Sequence, residues 1–150
     1  MEGIEESVAA RYGRVVADPA DADLAVVRLR TPYTKREGRF ESFFHDGRLD
    51  FTAEELAPVL ALAEAVPTVV DLYLERPAVV PELAEPSAAL IGNYGASAEA
   101  LLDVVFGRAA PEGRLPFEMP GSMKDVEASR PDVPSDTAAP LFHYGHGLTL

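Results

Sequence analysis

The chain has no cysteine, which removes disulfide frameworks, thiolate nucleophiles and thiolate metal sites together and leaves the compartment undecided. It is short of positive charge: 13 lysines and arginines stand against 25 aspartates and glutamates, for a formal net charge of −12. That field repels a phosphate backbone or an anionic membrane unless a local basic patch overrides it, so neither nucleic acid nor a membrane is an expected partner. The one dense basic cluster, Lys35, Arg36 and Arg39, is interleaved with Glu37 and Glu41, a pattern that fits a solvated loop as well as a binding role. No apolar run approaches the length that spans a bilayer. Residues 1–11 are acidic and lack both the basic start and the continuous apolar stretch of a signal peptide, so the expected location is cytoplasmic, with secretion open if a further segment lies upstream. Histidine is scarce, with 3 in all. His143 and His146 lie three apart, but the glycines around them point to a tight turn and no third ligand stands near in sequence, so neither a metal nor another cofactor is expected.

What is present suits one folded domain over residues 1–150, with 47% apolar and 25% charged residues. Residues 4–12 suggest a short helix and 14–17 a short strand, ahead of a turn at 18–21. Residues 22–30, ADLAVVRLR, form a continuous apolar run of the kind found in a strand covered on both faces. Thr52 and Glu55 have the spacing of a capping box and open a helix that places Leu56, Val59, Leu60 and Ala63 on one face and runs to about Val66. Two further strands are predicted after Pro67 and over 87–94, followed by a helix capped by Ser97 and ended at Gly107. Strands alternating with amphipathic helices specify an α/β three-layer sandwich with a mainly parallel sheet, flavodoxin-like in outline. Beyond Gly107 the prolines at 111, 116, 120, 131, 134 and 140 break the pattern, leaving at most a short helix over 123–128. This irregular carboxy-terminal segment has too little periodicity for its own core and is expected to wrap over the sheet.

Residues 31–51, TPYTKREGRFESFFHDGRLDF, separate the first strong strand from the first strong helix. A loop of that length in a compact domain is usually functional or disordered, and its aromatic content argues against disorder. It leaves the carboxyl end of a strand, where ligands gather in open α/β sheets. Aromatic faces beside carboxylates and guanidinium groups suit a sugar, which makes Tyr33, Arg36, Arg39, Phe43, His45 and Asp46 candidate contacts for a carbohydrate. Phe40, Phe43 and Phe44 equally suit an interface with another domain. His45 could act as a metal ligand or a general base, but stands among aromatics without a second histidine at ligand spacing, as a packing or hydrogen-bonding residue would. Gly92 to Gly95 follows a strand and precedes a helix as a phosphate loop does, yet lacks the third glycine and the Gly-Lys-Ser/Thr run. Ser97 has no nucleophile elbow around it.

The segment LLDVVFGRAAPEGRLPFEMP, residues 101–120, resembles the pattern of family 3 glycoside hydrolases in which a helix ends at Phe-Gly and a loop leads to Pro-x-Gly-Arg-Leu-Pro. The matching residues are Phe106, Gly107, Pro111, Gly113, Arg114, Leu115 and Pro116. PLFHYGHGL, residues 140–148, is similar to the family's closing Pro-Leu-Phe-x-Phe-Gly-x-Gly-Leu, and Glu75-Arg76-Pro77 resembles its Gly-Arg-Pro turn with Glu75 in place of glycine. The resemblance implies the carboxy-terminal half of a retaining β-glucosidase-like enzyme: an α/β sandwich whose loop completes a site on a (β/α)8 barrel that bears the aspartate nucleophile. It also implies that the first strands of the family's sandwich are not present before Met1, leaving the sheet short at one edge. Retaining glycosidases use two carboxyl groups about 5 Å apart, one nucleophilic and one acid/base. In several family members the acid/base glutamate follows a Pro-Tyr pair, which Pro32 and Tyr33 resemble. Lys35 stands where that glutamate is expected, so Glu37 is the candidate acid/base and Glu41 the second. An ordinary ion pair with Arg36 or Arg39 is their structural alternative. The isolated chain is expected to hydrolyse nothing, its partner being the barrel or an equivalent surface and its ligand a glucoside-type carbohydrate, with self-association through the exposed loop also open. Two other functions compete: a stand-alone, non-catalytic sugar- or protein-binding module, and a flavodoxin-like nucleotide binder.

Overall fold

The computed structural model describes residues 3–148. The chain runs through α1 (Glu6–Ala9), β1 (Ala25–Arg30), α2 (Ala53–Ala65), β2 (Thr68–Tyr73), α3 (Pro81–Ala84), β3 (Ala89–Asn93), α4 (Ala98–Val105), β4 (Met119–Pro120), α5 (Met123–Ala128) and β5 (Pro140–Phe142). β1, β2 and β3 form a parallel sheet in that order, with Val27 opposite Val70 and Val70 opposite Leu90. Parallel neighbours need crossovers, which α2 and α3 provide. β2 is the central strand, and its residues 68–72 are all buried, as the near-continuous apolar sequence requires.

Alternation along β2 sends Val70 and Leu72 to one face of the sheet. There they meet Val27, Leu56 and Val59 of α2, Leu83 of α3 and Met119, with Leu115, Phe117, Leu141 and Phe142 of the carboxy-terminal segment packed against the cluster. The expected wrap is therefore part of the core. α4, whose Leu101 and Leu102 are buried outside this cluster, packs with α1, where the Tyr12 hydroxyl donates to Asp103 at 2.8 Å. The result is an α/β three-layer sandwich with an irregular carboxy-terminal wrap.

Local signals explain most boundaries. The Thr52 hydroxyl accepts from the Glu55 amide at 3.2 Å while the Glu55 carboxylate accepts from the Thr52 amide at 2.8 Å, completing the capping box of α2. Ser97 caps α4, and Gly107 beyond it has φ +68, the left-handed position that ends a helix. The strand predicted over 14–17 does not form. Arg14, Val15 and Ala17 are exposed, and none of these residues finds a pairing partner among the described strands.

The two family-like segments in the wrap are bonded to each other. The Leu115 amide donates to the His146 carbonyl at 2.8 Å and the Gly145 amide donates to the Leu115 carbonyl at 2.9 Å. Arg114 donates to the Leu148 carbonyl at 3.2 Å. His143 and His146 flank the tight turn expected of them: Gly145 has φ +78, and the His146 ring stacks on Phe142.

Candidate functional site

Residues 31–51 leave the carboxyl end of β1 and fold into an irregular hairpin beside the carboxyl end of β2. The Thr31 amide donates to the Tyr73 carbonyl at 3.1 Å, which fixes the start. Thr34 and Asp46 then form an antiparallel bridge, and Asp50 pairs in parallel with Val79. At Gly47, φ is +87 and a Cβ would collide with the Thr34 hydroxyl, so the close approach of the two arms requires glycine.

Side chains lock this base. Arg36 grips Asp46 with two guanidinium nitrogens, Nε donating to one carboxylate oxygen at 3.0 Å and Nη2 donating to the other. His45 stacks on Tyr33, with centroids 4.0 Å apart and planes at 21°, and its Nδ1 bonds the Glu75 carboxylate. Arg76 donates to three backbone carbonyls of the returning arm, His45 at 2.8 Å, Gly47 at 2.5 Å and Arg48 at 3.1 Å. Arg48 in turn donates to both oxygens of Asp50, and that hydrogen bond holds the Asp50 carboxyl below the usual carboxylate range.

The tip is different. Residues 38–44 make a short helical turn in which the Ser42 amide donates to the Gly38 carbonyl at 3.1 Å. Phe40, Phe43 and Phe44 project from it with 75%, 80% and 56% of their surface exposed. Three neighbouring phenyl rings in water are an apolar cost that a partner surface or ligand would relieve.

Of the expected site residues, the structure brings Tyr33, Arg36, His45 and Asp46 together at the base. Glu37, Arg39, Glu41 and Phe43 lie on the exposed arm and tip, and the Glu41 carboxylate folds back over Gly38. Glu75 and Arg76 belong to the site although the loop sequence does not contain them. Among the described residues, no group of three or more histidine, aspartate or glutamate side chains gathers as a metal site would, and no helix is long and apolar enough to cross a membrane. The glycine turn at 92–95 offers no phosphate cradle, because the Asn93 side-chain oxygen already accepts from the Gly95 and Ala96 amides at 2.8 and 3.1 Å. An apolar groove of about 390 Å³ runs along β3 beneath the wrap, but it shares no residue with the loop.

Comparison with known proteins matches residues 1–150 to the glycosyl hydrolase family 3 C-terminal domain. The chain belongs to that family. This family 3 domain is 47% identical over 149 residues to Beta-glucosidase C of Emericella nidulans, covering 99% of the chain and 24% of that protein. It is 45% identical over 150 residues to Probable beta-glucosidase C of Aspergillus oryzae, again at 99% and 24%. With the Periplasmic beta-glucosidase/beta-xylosidase of Dickeya chrysanthemi it shares 36% identity over 153 residues, at 99% and 23%. The family 3 domain thus spans about a quarter of the length of these relatives. Its clasp of residues 113–115 and 145–148 is built from the two segments that resemble the family, and its hydrogen bonds hold the wrap together.

Proposed function

We propose that this domain supplies the substrate-facing side of a retaining β-glucosidase-like glycoside hydrolase, completing through residues 31–51 an active site whose nucleophile lies on a barrel outside this chain. The observation that carries this is the build of the loop: a base locked by Arg36, His45, Asp46, Glu75 and Arg76 holds out a tip with three exposed phenylalanines. A loop that merely connected two elements would need neither the lock nor the rings. The relatives named as β-glucosidases are about four times as long, which leaves ample chain for a barrel of about 250 residues.

Within that arrangement the base offers a glucoside-type sugar an aromatic face at Tyr33 and polar partners at Arg36, His45 and Asp46. Arg39 and Phe43 meet it or the barrel from the tip. Glu37 is the candidate acid/base and Glu41 the second, both being exposed carboxylates on the arm and tip rather than in the locked base. Alone, the domain hydrolyses nothing, because a retaining mechanism needs both carboxyl groups.

Hydrogen exchange tests the arrangement. Mixing the domain with a family 3 barrel should slow exchange of the amides of residues 38–44 and leave the central strand β2 unchanged. Equal exchange at the tip with and without the barrel would contradict it, and slowing at the tip at high concentration of the domain alone would assign the phenylalanines to self-association.

A further inference from the structure

Glu75 lies two residues beyond the end of β2 and outside the loop, in the position of the glycine of the Gly-Arg-Pro turn that the chain otherwise resembles. Its carboxylate reaches 30 positions back along the sequence to bond His45 Nδ1. A carboxylate in this state only accepts, so in the neutral imidazole the proton sits on Nδ1 and the lone pair on Nε2. No described residue bonds Nε2. The ring is held against rotation by the stacked Tyr33, and the backbone that carries it by the three hydrogen bonds from Arg76. The side-chain exposures of 33% for His45 and 28% for Glu75 leave the pair open to a ligand on one side. An acceptor with fixed tautomer, fixed ring plane and fixed backbone is preorganised, which is what makes a single neutral hydrogen bond discriminating.

We propose that Glu75 is a positioning residue: it fixes the Nδ1–H tautomer of His45 and so presents Nε2 as a hydrogen-bond acceptor to a hydroxyl of a glucoside-type sugar at the base of the loop. This rests on the reading that the loop faces the sugar. Of the charged groups around the ring, Arg36 and Arg76 can only donate and Asp46 already accepts from Arg36 on both oxygens, so Nε2 of His45 adds a neutral acceptor of fixed direction beside them. A sugar hydroxyl both donates and accepts, and Nε2 answers the donating half.

The test is nitrogen-resolved NMR of the histidine rings in the whole chain, above the pH at which imidazole is protonated, with methyl β-glucoside added stepwise. His45 should show the Nδ1–H pattern, and its Nε2 resonance should move with the glucoside. Glu75→Leu should invert the pattern to Nε2–H and weaken glucoside binding by about threefold to tenfold, the loss of one neutral hydrogen bond. Glu75→Gln, whose amide oxygen accepts the same proton, should keep the wild-type pattern. An Nε2–H pattern in the wild type, or a pattern indifferent to Glu75→Leu, overturns the inference. If the glucoside moves other residues of 31–51 and leaves the His45 ring unmoved, the inference falls and the proposed function stands. If no residue of 31–51 responds, both fall.

Discussion

Arg28 on β1 and Asp71 on β2 are register partners in the parallel sheet, and their side chains meet at 2.7 Å. Asp71 is fully buried, and its second oxygen accepts from the Asn93 amide group at 2.7 Å. Arg28 also donates to the Ala96 carbonyl at 2.8 Å, while the Asn93 side-chain oxygen takes the Gly95 and Ala96 amides. One carboxylate therefore ties all three strands to the turn that starts α4.

Removing that carboxylate leaves an enclosed guanidinium and an amide without their acceptor, the strongly destabilising case for a buried pair. Asp71→Ala should lower stability by about 3–5 kcal/mol. Asp71→Asn, which keeps one acceptor oxygen, should lower it by less. Urea unfolding with an unchanged slope checks both, and a loss within about 0.5 kcal/mol for Asp71→Ala would show that the network contributes little.

The wrap depends on Gly147. A Cβ there would collide with the Gly113 carbonyl and the Arg114 guanidinium, backbone on one side and a bonded side chain on the other. Gly147→Ala should therefore destabilise by about 1–3 kcal/mol, as overpacking does, and should open residues 140–148 to protease first. Gly13, with nothing near its imaginary Cβ and no positive φ, is the control: Gly13→Ala should stay within about 0.5 kcal/mol of wild type.

Acid should loosen the wrap at a second point. The Arg130 amide and guanidinium bond Asp136 at 3.2 and 3.1 Å and hold its carboxyl below its ordinary value of 3.8. A group whose folded value is depressed stabilises the fold above its unfolded value and loses that contribution as pH falls through the folded one. Amide shifts of residues 129–136 should thus be steady above pH 3.8 and change below it, and Asp136→Asn should remove that dependence. A transition centred above 3.8 would contradict the pairing.

Much of the fold is legible because its signals are local. Thr52 with Glu55, Ser97 with the α4 start, and Gly107 at its end lie within a few residues of what they control. The apolar runs of β1, β2 and β3 state their own burial. The expected strand over 14–17 fails for the opposite reason, since β-propensity without a neighbour to pair makes no strand. The site is legible in place but not in wiring. Tyr33, Arg36, His45 and Asp46 are readable as a polar aromatic loop, yet what locks them is Glu75 and Arg76, about 30 residues away and reached only when β2 lies beside β1. The one trace of this in the sequence is Glu75 itself, a carboxylate where the resembling turn has glycine. Arg28 and Asp71, 43 residues apart, give no trace at all until the strands are in register.

As proposed, this domain is one face of a glycosidase and has no hydrolytic centre of its own. The most direct measurement is release of nitrophenol from an aryl β-glucoside by the purified chain, with and without a family 3 barrel that lacks this domain. The expected result is no turnover by the chain alone and turnover when the barrel is present. Turnover by the chain alone that disappears in Glu37→Gln would contradict the account, because it would place a complete active site within these 150 residues.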